Sequence, residues 1–183
     1  MMHLWDHGGP FMHPLAIGAV QGLVLLALPL VLSGRFRPPG LFVAYVAGQL
    51  GLGAAGALQW LYLVGGVVLR VPAERHAGLW DTALGMAVVP LGFSLLSVLV
   101  AVPLVAVARV RGGRGLWLGP ASLVLAAGSL AMLATTSQTL LFAGIVMALV
   151  AALGGQIAVW ISLYRGAMDA ARREGSPLGP ALR

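Results

Sequence analysis

The chain has 183 residues and a mass of 18.8 kDa, with 60% hydrophobic residues, 9% charged residues and a formal net charge of +6. A soluble domain carries about a quarter charged residues, and a soluble fold of this length has no interior large enough to hide so much apolar surface. The composition excludes a soluble enzyme, a disordered chain and a nucleic-acid-binding domain, and leaves a polytopic membrane protein.

Residues 1–13 carry no Arg or Lys, so they lack the basic region of a cleavable signal peptide and are expected to stay as an outer segment. A helix needs about 20 mostly apolar residues to cross a ~30 Å hydrocarbon core. Five stretches qualify: about Pro14–Leu32, Leu41–Leu69, Ala83–Val110, Leu116–Thr135 and Leu140–Tyr164. The expected fold is all-α, an integral membrane bundle of five transmembrane helices over residues 14–164, followed by a basic tail over 165–183. The second and third stretches are longer than one span requires, and the second, read as one helix, is about 43 Å long. It must tilt, project from the bilayer or break at Gly65-Gly66. Ser176-Pro177 and Gly179-Pro180 predict an irregular end.

The charges between these stretches alternate. Arg35 and Arg37, then Arg109, Arg111 and Arg114, then Arg165, Arg172, Arg173 and Arg183 fall on one side, against Asp169 and Glu174. Arg70 and Arg75 fall on the other, against Asp6, Glu74 and Asp81. The split is a net +7 and −1, and arginine-rich loops stay in the cytoplasm, which predicts the N-terminus outside and the C-terminus inside. The whole +6 is thereby an orientation signal. All eleven basic residues are Arg, a usage that goes with a GC-rich bacterial genome, so the expected location is the inner (plasma) membrane, crossed several times. Trp5, Trp60, Tyr62 and Trp80 are expected at the outer boundary, and Trp117, Trp160 and Tyr164 at the inner one, because amphipathic rings prefer the headgroup level.

Lipid tails supply no hydrophobic drive for helix association, so small residues four apart mark close packing. Such pairs are Gly18/Gly22, Gly51/Ala55, Gly53/Ala57 and the run Gly144, Ala148, Ala152. Pro29, Pro90, Pro103 and Pro120 each remove a helix hydrogen bond. Gln21, Gln49 and Gln156 are expected within the membrane, with Gln59 nearer its outer edge. Amides there need partners, either on neighbouring helices or on a quinone, a haem propionate or a small solute. Ser94, Ser97, Ser122 and Ser129 can bond back to their own helix. No Asp, Glu, Arg or His lies deep in a span, which speaks against an ion-coupled pump. With no base beside a nucleophile at that depth, it also speaks against a membrane enzyme.

His3, His7, His13 and His76 are the only histidines, and the topology puts all four on the outer side. With Met1, Met2 and Met12 they make a candidate copper site, since imidazole and thioether suit that metal. The opening Met1-Met2-His3 resembles the amino-terminal copper and nickel motif. Paired imidazoles are ordinary haem axial ligands, so a haem between His13 and His76 is a further expectation. The five-span layout is similar to that of small cytochrome b subunits of membrane oxidoreductases, but this chain lacks their buried histidine pairs. Three functions are expected in turn, the third being a haem-binding, cytochrome b-like electron-transfer subunit. One is a non-catalytic accessory or assembly subunit of a respiratory membrane complex, with copper at its outer face and its small-residue faces docking other membrane subunits or a second copy. The alternative is a small permease or solute-binding module, with Gln21, Gln49, Gln156 and Tyr45 along a path.

Overall fold

The computed structural model describes residues 8–31, 41–107, 118–135 and 137–174. Every regular element among them is helical: α1 (Met12–Val31), α2 (Leu41–Val68), α3 (His76–Val107), α4 (Leu118–Ala131) and α5 (Gln138–Glu174). Short 3-10 turns precede α1 (Gly9–Phe11), link α2 to α3 (Ala73–Arg75) and extend α4 (Met132–Ala134). Gly9 has φ +66°, a left-handed conformation that suits glycine, and this turns the chain into α1 under the indole of Trp60.

The pairs α1/α2, α2/α3, α2/α5 and α4/α5 each run antiparallel, as the glycine contacts show. Gly9 meets Trp60, Gly18 meets Gln49 and Gly22 meets Tyr45, so rising numbers on α1 face falling numbers on α2. Gly53 faces Ser94 and Gly56 faces Pro90 across α2 and α3, while Gly65 faces Gln138 and Gly48 faces Gln156 across α2 and α5. Across α4 and α5, Gly128 faces Met147 and Gly154 faces Ser122. The helix α2 sits at the centre, packed on all four others, and α1 packs on its edge and on α3. Most of α2 between Ala44 and Leu58 is therefore buried, and its residues are mainly Gly and Ala. A helix apolar on every side belongs in the middle of a bundle.

Among the described residues, three segments are long and apolar enough to cross a membrane: Leu41–Val68, Ala73–Leu99 and Gln138–Arg165. Leu118–Ala134 is a shorter apolar helix. Exposed Ile17, Val20, Val88, Leu96, Leu99, Val124, Leu153 and Ile157 give the outside of the bundle an apolar surface, as a lipid environment requires.

Several boundaries depart from the sequence reading. The helix α3 starts at His76, seven residues before Ala83, because Trp80, Asp81 and Thr82 continue it; the Thr82 hydroxyl donates to the Gly78 carbonyl at 2.8 Å. The helix α5 runs to Glu174 through the polar residues from Arg165 onward, since charge ends a membrane span without ending a helix. No break occurs at Gly65-Gly66. The Gln138 amide lies across them; with its nitrogen turned toward the Tyr62 carbonyl it donates there and its oxygen accepts from the Gly66 N–H, both at 3.2 Å.

Candidate functional site

The interior of the bundle is apolar in two places. One cluster joins Ala54, Ala55, Ala57, Leu58 and Leu61 of α2 to Ala83, Ala87, Leu141 and Ala148. The other joins Leu41, Ala44 and Tyr45 to Ala158 and Val159. The stretch of α2 between them carries Gly48, Gln49 and Gly51, with no apolar side chain of size turned inward.

That layer collects polar side chains from four helices. Gln49 and Tyr45 lie one helical turn apart on α2 and share a face. That face meets α1 at two glycines: the Gln49 amide lies over Gly18, and the Tyr45 phenol lies over Gly22. Any β-carbon at either glycine would occupy the space these groups hold. On α1, Gln21 is half-buried beside Gly22. On the next face of α2, the Gln156 Nε2 of α5 packs against Gly48. Ser122 of α4 lies against Gly154 of α5 at the same level. The four residues that the sequence placed along one path, Gln21, Gln49, Gln156 and Tyr45, thus share one level of the bundle on two adjacent faces of α2.

Gln49 is 0% exposed and Tyr45 is 1% exposed. Both amide atoms of Gln49 and the hydroxyl of Tyr45 are buried with no hydrogen-bond partner. Ser94 of α3, seated over Gly53 one turn farther along α2, is likewise buried with an unpartnered hydroxyl. Ser97 and Ser129 do bond to their own helices, at 2.8 Å to the Phe93 carbonyl and 2.7 Å to the Ala126 carbonyl, as expected from sequence. Ser94 departs from that expectation. More than nine in ten buried polar groups in folded proteins find a partner, so three such side chains around one helix call for an explanation.

Two of the four histidines lie among the described residues. His13 is exposed on the first turn of α1. His76 starts α3, and its ring Nε2–H donates to the Val71 carbonyl at 3.0 Å, closing the turn between α2 and α3. His3 and His7 lie outside the described residues. Among the described residues, no group of three or more His, Asp or Glu side chains is placed to hold a metal ion.

The sequence reading missed Ser94 as a buried orphan and Gln138 as the clamp on α2. It also missed the pair Gly48 and Gly155, which brings the backbones of α2 and α5 together. Gly48 follows Ala44 by four residues and precedes Gly51 by three, so the small-residue spacing held the signal. No protein-family model, no curated protein and no solved structure matches this chain.

Proposed function

We propose that this chain is a five-span plasma-membrane protein, N-terminus outside, that catalyses no reaction and binds a neutral ligand in the polar layer around Gln49. The supporting observation is Gln49 itself, wholly buried in a membrane-length helix with neither amide atom satisfied. Leaving such a group unpaired costs about 1–3 kcal/mol in an ordinary protein interior. Water cannot reach it from hydrocarbon. A site that holds polar groups ready at such a cost suits a ligand that supplies the partners. No Asp, Glu, Arg or His stands within α2 or the apolar part of α5, which favours a neutral ligand.

The geometry supports the span. Extrapolating the α2–α5 pairings puts Trp160 level with Val43, so Trp60 and Trp160 lie about 26 Å apart along the bundle. Aromatic rings so spaced match the two edges of a ~30 Å hydrocarbon core.

The test is a Gln49→Leu, Tyr45→Phe double variant of the purified chain. Without ligand it should be more stable than the parent by about 1–3 kcal/mol, because the unpaired groups are gone. It should also lose the stabilisation that native membrane extract gives the parent in a thermal melt. A variant that is less stable and still stabilised by the extract would sink the reading.

One observation favours a second reading, an accessory subunit with copper at its outer face. His76 is held through Nε2, the second hydrogen bond that metal-ligating histidines make, which leaves Nδ1 as the ligand atom. Changing His3, His7, His13 and His76 together to Ala should then abolish copper co-purifying with the chain. Unchanged copper content would remove this reading.

A further inference from the structure

Resting on the ligand-binding reading above, we infer that the ligand of the Tyr45–Gln49 face is a lipid-borne carbonyl acceptor, reaching the site sideways from the bilayer between α1 and α2. Three observations carry this. The first is the donor set. The Tyr45 hydroxyl and the Gln49 NH₂ are both buried without partners, one turn apart on one face, so the site offers two donor groups to a ligand. With no cation to balance an anion in α2, the matching ligand is an uncharged oxygen acceptor, a ketone or ester carbonyl. The Gln49 Oε1 adds one acceptor for a hydroxyl carried by the ligand.

The second observation is depth. Gln49 lies eight residues inside the start of α2 at Leu41, about 12 Å, and Tyr45 only half as far. Trp160 stands level with this end of the bundle, at the edge of the apolar zone. Ester carbonyls of phospholipids and the ring carbonyls of a lipid-soluble quinone both reach that depth from the membrane side, whereas a solute dissolved in water must cross a polar path to it.

The third is the wall opposite. Tyr45 and Gln49 are covered by α1 through Gly18 and Gly22, which have no side chains to interlock, and among the described residues α1 packs less extensively on α2 than α3, α4 or α5 does. Outward of these glycines, α1 presents exposed Ile17, Val20, Leu23 and Val24. A small displacement of this edge helix opens the donors to the bilayer and leaves the α2–α5 contact untouched.

The experiment uses the full chain in nanodiscs, labelled with ¹⁵N at its five glutamine side chains. One arm adds a short-chain p-benzoquinone to discs of diether phospholipid, which has no ester carbonyl. A second compares diether with diester phospholipid without quinone. A third adds urea and glycerol as water-borne neutral probes. A saturable shift of the Gln49 NH₂ resonances in the first arm, or a shifted resonance in diester discs alone, is the expected result and tells the quinone source from the phospholipid source. Tyr45→Phe, which keeps the ring and its packing, should weaken that binding about tenfold with the helical content unchanged. Saturation by urea or glycerol, with neither lipid arm responding, would overturn the ligand class while leaving the ligand-binding reading intact. Silence in every arm would overturn both.

Discussion

Glycine decides how this bundle packs, residue by residue, and two glycines make the argument testable. At Gly155 an added β-carbon would stand 2.5 Å from the Gly48 nitrogen and 2.6 Å from the Ala44 carbonyl oxygen, both backbone atoms that cannot swing aside. Gly155→Ala must therefore push α5 off α2, and overpacking of this kind costs about 1–3 kcal/mol. Gly85, on the exposed face of α3, has nothing within 4 Å of its β-position. There the same substitution only removes backbone freedom from a helix interior and should stabilise by about 0.5–1 kcal/mol. Unfolding of the two variants by denaturing detergent, side by side, checks the sign at each position. Gly85→Ala proving as harmful as Gly155→Ala would mean that α3 has a neighbour on that face. The sequence held part of this pattern. Spacing of four marked Gly18/Gly22, Gly51/Ala55 and Gly144/Ala148, which do lie at close helix contacts, but it could not tell a packed glycine from an open one. That distinction depends on which helix faces it, and helix facing is long-range information.

At the scale of the element, the helices themselves were largely legible. Apolar runs gave all five helices, and α1 and α2 differ from the expected ends by only a residue or two, because hydrophobicity sets span length directly. The misjudged ends share one cause: polar residues were read as loop. His76 to Thr82 begins α3 with Asp81 inside it, and Gln138 begins α5 instead of linking α4 to it. Gln138 matters beyond its own helix. Its amide bonds the Tyr62 carbonyl and the Gly66 N–H, one turn apart on α2, and it packs on Gly65 where a β-carbon would displace it. The start of α5 thereby holds the Gly-Gly end of α2 in helical form, which the isolated sequence would let fray. Gln138→Leu should cost about 1 kcal/mol and should speed hydrogen exchange at Gly66 and the residues after it. Exchange at Gly48, toward the other end of α2 and held there against Gly155 of α5, should stay at its parent rate. If both sites change together, the loss is global and the clamp is not local.

For the whole molecule, the question is how the bundle sits in its membrane. The antiparallel order of the helices puts the turn at Ala73–Arg75 at one end and the arginine-rich connection over 109–114 after the other end of α3. The polar layer of Tyr45, Gln49 and Gln156 stands in the half nearer that arginine-rich end, which the sequence alone placed only somewhere within the membrane. Charge asymmetry predicts which end is which. Arginines are retained on the cytoplasmic side, so the end with Arg109, Arg111 and Arg114 should face inward and the candidate site should open to the inner leaflet. The chain has no cysteine, so a single introduced thiol reports cleanly. Ala73→Cys, in the exposed turn between α2 and α3, should react with a membrane-impermeant maleimide in intact cells, whereas Gly112→Cys should react only after the cells are opened. The reverse pattern would place the donors of Tyr45 and Gln49 in the outer leaflet. Labelling of both in intact cells would mean that α3 does not cross, and the polar layer would then lie in contact with water, which removes the reason for a lipid-borne ligand.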